Sequence, residues 1–404
     1  MKNTMELYKR WTDNSSMGEV STPIELVREM LDKIPVEVWE TPNSTFLDPC
    51  MGKGTFLLEI VKRLVNIYKY SEEDAISRVY GYDIRFKYIS RLEDVGLKNV
   101  FHKDFLNEEF NMKFDVVIGN PPYQEKVGDK KTEPLWNKFV KKSFEVVKDG
   151  GYVSLIHPSG WRNVDGKYKE IQTLIKSKNL IYLDINSVEV GQKTFNATTP
   201  FDWYVIQNSP NNGKNIVKFE DNEVRTIDLS KLELIPNQMF DEIMNLIAKE
   251  DEERVEILHS YSNYETRNPY MSKERTEEHI HPCVYSVLSN GAINFMYSST
   301  NQNGHFNIPK LILGNGTNPT STIDNNGEYG LTQFAFGIVD SVENLSQIQS
   351  VIKSKKFQKL NKATKYVATA GNPLVYPKIV SLFKKDFWKE FLDKDGNVIE
   401  SNVG

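Results

Sequence analysis

The sequence predicts an α/β protein: a mostly parallel sheet of seven strands flanked by helices, followed by a C-terminal α+β domain. Three observations support this. Short strand-like runs alternate with amphipathic stretches up to residue 206, at the spacing of crossover units. Runs such as Val116-Val117-Ile118 are continuously apolar, as strands buried on both faces require. The polar cluster Asn208 to Asn215 then precedes a change of character, with a helical stretch at 236–249 and a strand- and turn-rich stretch at 281–340.

The expected strands are Thr45 to Leu47, Val79 to Asp83, Asn99 to His102, Asp115 to Ile118, Tyr152 to Ile156, Leu180 to Asp184 and Phe201 to Ile206. Gly54 to Lys69 has helical apolar spacing at Phe56, Leu57, Ile60, Leu64 and Ile67. A second helix is expected over Leu135 to Val147, closed by Asp149-Gly150-Gly151. Asn290-Gly291, Asn315-Gly316 and Asn326-Gly327 are hairpin signals. A chain of 404 residues exceeds one core. The domain boundary is expected near 210–235, giving domains 1–230 and 231–404.

Composition narrows the function. The chain is 39% hydrophobic and 26% charged, the mix of an ordinary globular protein. No apolar run approaches the roughly 20 residues of a membrane span, and no signal peptide opens the sequence. Two cysteines, Cys50 and Cys283, give neither a disulfide framework nor zinc spacing. A reducing, cytoplasmic setting without a metal site is therefore expected. The net charge of −5 argues against a wholly basic nucleic-acid binder but leaves room for a local basic face.

The decapeptide Phe-Asp-Val-Val-Ile-Gly-Asn-Pro-Pro-Tyr at 114–123 is the most informative segment. Gly119 and two prolines stop an apolar strand abruptly. The stiff turn can hold two oxygen acceptors together, the Asn120 side-chain carbonyl and a backbone carbonyl beside it. Tyr123 adds a flat ring, and the set suits a planar group bearing an NH2.

Leu47-Asp48-Pro49-Cys50-Met51-Gly52-Lys53-Gly54 joins the first strand to the first helix. Gly52 and Gly54 allow a tight turn with space for a ligand. The loop has neither the phosphate-loop pattern nor the third glycine of a dinucleotide loop, and Asp48 favours a cationic or amino-bearing ligand. Asp83 in Gly81-Tyr82-Asp83-Ile84 can accept both hydroxyls of a ribose. Asp104 in Lys103-Asp104-Phe105 can accept from an adenine amino group while Phe105 packs the ring. Each acid alone could equally be a helix cap. Together, Asp48, Asp83, Asp104 and Asn120 fall on four successive strand ends, the edge where open α/β sheets bind ligands.

This set resembles the S-adenosylmethionine-dependent DNA adenine-N6 methyltransferases of the gamma class. The resemblance covers roughly residues 18–206 and implies a Rossmann-like methyltransferase sheet. Asp48 to Gly54 resembles the motif that wraps the methionine moiety of S-adenosyl-L-methionine. Asp83, with Ile84, matches the ribose position, Asp104-Phe105 the adenine position, and Asn120-Pro121-Pro122-Tyr123 the catalytic motif. Gly18 to Pro23, with Thr22, resembles the Thr-Pro segment that contacts the cofactor. Lys148 to Trp161 resembles the stretch around the fifth strand, and the motif order is that of the gamma class.

The resemblance implies direct methyl transfer to the N6 amino group of an adenine flipped out of duplex DNA. Asn120 and the Pro121 carbonyl would accept from the amino group, and Tyr123 would stack on the base. Phe195 resembles the aromatic residue that packs the flipped base, with ordinary packing as the equal alternative. Gln124 to Trp136, carrying Lys126, Lys130 and Lys131, is expected as a mobile loop closing on DNA, or else as a solvated loop. Residues 351–390 hold ten lysines against Asp386 and Glu390, interleaved with Phe357, Tyr366, Tyr376, Phe383, Phe387 and Trp388. This resembles a target-recognition region with a basic DNA-binding face, the alternative being a lysine-coated solvated helix. The implied partners are double-stranded DNA and, in a restriction-modification setting, a separate endonuclease. Protein glutamine methylation, RNA adenine methylation and an inactive DNA-binding subunit remain as other readings.

Overall fold

The computed structural model describes residues 22–127, 131–163, 166–314, 320–364, 366 and 375–399. Gly18 to Ser21 and Lys130 lie outside the described residues, as do Asn315-Gly316 and Lys365. The chain divides into two compact units, one ending at Ile235 and the other beginning at Pro236.

The first unit opens with α1 (Ile24–Asp32) and α2 (Val36–Glu40), then follows the predicted alternation. The elements are β1 (Phe46–Asp48), α3 (Thr55–Asn66), α4 (Glu72–Ser77), β2 (Val79–Asp83), α5 (Phe86–Val95), β3 (Val100–His102) and β4 (Phe114–Gly119). A ribbon of β5 (Gln124–Val127) and β6 (Lys131–Pro134) leads to α6 (Trp136–Val146) and β7 (Val147–Pro158). After them come α7 (Lys169–Ser177), β8 (Lys178–Asn186), α8 (Val188–Phe195), β9 (Phe201–Pro210), β10 (Asn215–Lys218) and β11 (Val224–Ile227).

One sheet gathers these strands in the order β11-β10-β8-β9-β7-β4-β1-β2-β3. It contains the seven expected strands plus β10 and β11, so nine strands replace the expected seven. β9 is antiparallel to both neighbours, and β11 is antiparallel to β10; the other pairings are parallel. Asn215 explains why a polar cluster does not end the domain. Its buried side chain donates to the Leu180 carbonyl at 3.1 Å and accepts from Leu229 N at 2.9 Å, which carries the chain onward into the sheet.

Packing follows the sequence periodicity. Phe56, Leu57, Ile60 and Leu64 form the buried stripe of α3, and Val116, Val117 and Ile118 are wholly buried at the sheet centre. Within Gln124 to Trp136, expected as a mobile or a solvated loop, Gln124–Val127 and Lys131–Pro134 pair as the antiparallel β5–β6 ribbon, with Gln124 opposite Pro134.

A buried ionic cluster braces β7 against β9. Asp202 accepts from Ser159 Oγ at 2.9 Å, Trp161 Nε1 at 2.8 Å and Arg162 Nε at 2.7 Å. Arg162 also donates to the Ile235 carbonyl at 2.9 Å, tying the end of the unit to its sheet. Beside it His157 stacks on Trp136 with ring centroids 4.3 Å apart, and burial lowers its pKa to about 4, so the ring is neutral.

The second unit is α+β. It holds α9 (Phe240–Met244) and the strands β12 (Glu256–Leu258), β13 (Met271–Ser272), β14 (His281–Val287), β15 (Ile293–Ser298), β16 (Lys310–Gly314), β17 (Ser321–Asp324), β18 (Gly330–Leu331) and β19 (Ala335–Val339). These form two four-stranded sheets, β12-β19-β16-β17 and β13-β15-β14-β18. The helices α10 (Val342–Lys353), α11 (Lys355–Ala363) and α12 (Val375–Val380) follow. Asn290-Gly291 turns the β14–β15 hairpin, whereas Asn326-Gly327 lies between strands of different sheets.

Two expectations for this unit change. The helix expected over 236–249 shrinks to α9, because Met239 takes a left-handed φ of 56° and the chain after α9 pairs with 382–384. The aromatics of 351–390 are not interleaved on a surface. Phe357, Tyr366, Phe383, Phe387 and Trp388 are buried, and the side chain of Tyr376 lies outside the described residues. Lys353, Lys355, Lys359 and Lys362 are exposed, so the face of α10 and α11 that carries them is basic without being aromatic.

Among the described residues no helix is long and apolar enough to cross a membrane. Nor does any group of three or more His, Cys, Asp or Glu there come together as a metal site would require.

Asp202→Ala removes the buried carboxylate that meets the wholly buried Arg162 at 2.7 Å. The expected loss is about 3–5 kcal/mol of stability, read as a lowered urea midpoint. An unchanged midpoint would show that the cluster contributes nothing net.

Candidate active site

β1 is paired with β2 on one side and β4 on the other, so the chain's winding direction reverses between β1 and β4. Ligands of open α/β sheets sit outside the carboxyl ends of the strands at such a switch point. A cleft of about 1170 Å³ opens there. Of the predicted residues, all but one line it: Thr22, Asp48, Pro49, Gly52, Asp83, Ile84, Asp104, Phe105, Asn120, Pro121, Pro122, Tyr123 and Phe195. Gly54 is the exception. It caps α3 with a φ of 77°, and a Cβ there would come within 2.6 Å of Leu92, behind the cleft wall.

The glycine loop is pinned to β2. Met51 N donates to the Tyr82 carbonyl at 3.0 Å, and Gly52 N donates to Asp83 Oδ2 at 2.9 Å. Gly52 has a φ of 50°, a region that favours glycine, and its Cβ position has no neighbour closer than 3.8 Å. Asp83 is gripped from the other side by Arg85, whose backbone N, Nε and Nη2 reach its oxygens at 2.9, 2.9 and 3.0 Å. Arg85 also lies over the Tyr88 ring.

Asp48 is buried, and its Oδ1 accepts from Cys50 N at 3.0 Å. Burial, with Asp83 nearby, raises its pKa from 3.8 to about 8. Gly119 makes room for it: a Cβ at Gly119 would stand 2.7 Å from Asp48 Oδ1. Thus Gly119 not only ends β4 but lets the carboxyl of β1 lie against it.

Asp104 is exposed and caps the short 3-10 turn Phe105–Asn107, accepting from Leu106 N and Asn107 Nδ2. The capping role holds for this acid while it also lines the cleft. Phe105 is buried and stacks on Phe139 with centroids 5.7 Å apart. Ile84 is 69% exposed, an apolar side chain presented at the cleft.

Asn120 is half-buried. Its Nδ2 donates to Thr22 Oγ1 at 3.2 Å, and its Oδ1 is buried without a hydrogen-bond partner. Tyr123 is also half-buried; its hydroxyl is buried without a partner, and burial pushes its pKa up. Phe195, at the end of α8, is 8% exposed and meets Phe201 edge-on at 5.0 Å.

Sequence reasoning missed Arg85 and the α6 side chains Lys138, Phe139, Lys141 and Lys142, all on the cleft wall. The α6 set recurs at i, i+3 and i+4, so its shared face was readable.

Residues 55–190 match the Eco57I restriction-modification methylase family. The matched segment contains Asp83, Asp104 and Asn120 to Tyr123. Relatives include the type II methyltransferase M.VspI of Vibrio sp. (strain 343), 26% identical over 183 residues, covering 41% of this chain and 43% of the relative. The modification methylase CviBIII of Paramecium bursaria Chlorella virus NC1A is 30% identical over 217 residues, covering 50% of this chain and 52% of the relative. The chain thus spans about half the length of the curated relatives it matches. A solved structure of a nuclease-deletion mutant of the type ISP restriction-modification enzyme LlaGI, in complex with a DNA substrate mimic, is similar with a TM-score of 0.54. It is 10% identical, and the alignment covers 91% of this chain and 45% of that one; the likeness is one of fold.

S-adenosyl-L-methionine is the cofactor that goes with this methylase family. The residues fit it: an open Gly52 cradle, a buried Asp48 carboxyl that a cationic group would draw into its ionised form, Asp83 at the end of β2 and an exposed Ile84 beside it.

The raised pKa of Asp48 has a consequence for stability. Between pH 3.8 and about 8 the folded protein keeps a proton that the unfolded chain releases. The resulting stabilisation is complete below pH 3.8 and is lost as pH rises through about 8. Asp48→Asn should therefore become progressively more stable relative to the parent between pH 5 and pH 8.5, measured by urea midpoints. A pH-independent difference would contradict the assignment.

Proposed function

We propose that the chain is an S-adenosyl-L-methionine-dependent DNA methyltransferase of the gamma class that modifies the N6 amino group of a flipped-out adenine. The observation that carries this reading is Asn120 Oδ1, a buried acceptor without a partner on the wall of a cleft. A buried carbonyl oxygen left unpaired costs free energy, and a ligand N–H relieves that cost. The names of the methylase relatives support DNA as substrate. The cleft volume of about 1170 Å³ exceeds the roughly 300–1,000 Å³ of a one-ligand pocket, which suits a cofactor and a base together.

In this reading the bound cofactor would supply an electrophilic methyl group on a sulfonium, with a neutral thioether as the leaving group. Asn120 Oδ1 and the Pro121 carbonyl accept from the target amino group, favouring a tetrahedral nitrogen whose lone pair forms the new N–C bond. Neither acceptor is a base, so the surplus proton passes to solvent. Tyr123 offers a ring face while its hydroxyl end is held inside, and Phe195 closes another side. Asp83 would serve the ribose in place of Arg85, which with Gly52 fills its acceptor sites here, and Asp104-Phe105 would serve the adenine of the cofactor. Asp48 and Thr22 lie toward its methionine end.

The second unit, with exposed lysines on α10 and α11, would read and hold the DNA. A separate endonuclease and a cytoplasmic location complete the restriction-modification setting.

Asn120→Ala should lower transfer to duplex DNA about 100- to 1,000-fold, the cost of removing one preorganised electrostatic contact. Its affinity for S-adenosyl-L-methionine, measured by calorimetry, should stay near that of the parent. Equal transfer rates in the two proteins would refute the role of Asn120.

A further inference from the structure

An asparagine amide presents an oxygen on one side and an NH2 on the other, and the two ends are nearly the same size. The proposed chemistry tolerates only one orientation. If the NH2 faced the cleft, its donors would meet the donors of the target amino group. Nothing in Asn120 itself makes that choice.

Thr22 holds the nitrogen end. Its Oγ1 lies 3.2 Å from Asn120 Nδ2, a contact between side chains 98 positions apart. With the nitrogen engaged there, Oδ1 is the end left unpaired. The hydroxyl stands on a firm mount: Pro23 caps α1, with Val27 N donating to its carbonyl at 3.1 Å. Helix α1 is held to α3 by Arg28 with Glu59 at 3.3 Å and Arg63 with Asp32 at 2.7 Å. The start of α3 closes the Asp48 to Gly54 loop, so one frame carries both that loop and the hydroxyl.

We propose that Thr22 is a positioning residue that anchors the Asn120 side chain, with the amide nitrogen on its hydroxyl and the amide oxygen left for the target amino group. This rests on the methyltransferase reading above and goes beyond the cofactor contact expected of the Thr-Pro segment. Thr22 anchors the side chain, and Asn120 makes the contact.

The test compares Thr22→Val, which keeps the side-chain shape and removes the hydroxyl, with Thr22→Ser, which restores it. Three quantities are measured on the full chain: kcat on duplex DNA, the calorimetric affinity for S-adenosyl-L-methionine, and the side-chain amide signal of Asn120. That signal is recorded in 15N-asparagine-labelled protein and assigned by its absence from Asn120→Ala. The expected result for Thr22→Val is a drop in kcat of about tenfold, the net worth of one hydrogen bond. The amide signal should shift, and Thr22→Ser should recover both signal and rate, whatever share of cofactor affinity the lost hydroxyl also carries. An amide signal unmoved in Thr22→Val overturns the inference, as does a loss confined to cofactor affinity. A parent protein that leaves adenine in DNA unmodified overturns the methyltransferase reading instead, and the amide signal still reports on the Thr22 contact.

Discussion

The site depends on one adjacency, the parallel pairing of β1 with β4. Phe46 stands opposite Val116 and Leu47 opposite Val117, so the two strands end side by side. Gly119 has no side chain, and the Asp48 carboxyl occupies the space a Cβ would need. That contact places a desolvated acid beside the start of the Asn120 turn. It also explains why the Asp48 carboxyl holds its proton to about pH 8, since burial penalises the charged form.

Around this seam the chain divides its work between groups that hold and groups left to be used. Asp83 is surrounded by donors from Gly52 and Arg85, which ties the glycine loop to the end of β2. Asp202 and Arg162 do the same for the strands β7 and β9. Against these satisfied groups, Asn120 Oδ1 and the Tyr123 hydroxyl stand out as buried polar atoms without partners. Among the described residues others occur away from the cleft, such as Ser143 Oγ, Ser154 Oγ and Trp388 Nε1, but Asn120 and Tyr123 are the residues of this kind that line it.

Much of the site was readable in sequence because special residues sit at strand ends. Proline and glycine stop strands, and an acid or amide next to such a stop faces the ligand edge of the sheet. The reasons for two glycines were not readable, because they depend on partners distant in sequence: Gly54 faces Leu92, and Gly119 faces Asp48. Arg85 was missed although its partner Asp83 is only two residues away, because residue type alone does not show that the side chain folds back onto that carboxylate. The aromatics of 351–390 looked like a stacking surface because burial is not encoded in composition; tertiary packing placed them inside. The polar run before β10 resembled a boundary until Asn215 found backbone partners on both sides. The segment 236–249 carried helical spacing, yet pairing with 382–384 overrode it beyond Met244.

The central claim concerns the atom that receives the methyl group. The most direct measurement is to incubate the protein with S-adenosyl-L-methionine and duplex DNA of mixed sequence, digest the DNA to nucleosides, and identify the methylated product by mass spectrometry. The account predicts N6-methyl-2′-deoxyadenosine and no other modified nucleoside. A methylated cytosine, or DNA left unmodified while RNA or protein acquires the methyl group, would contradict it.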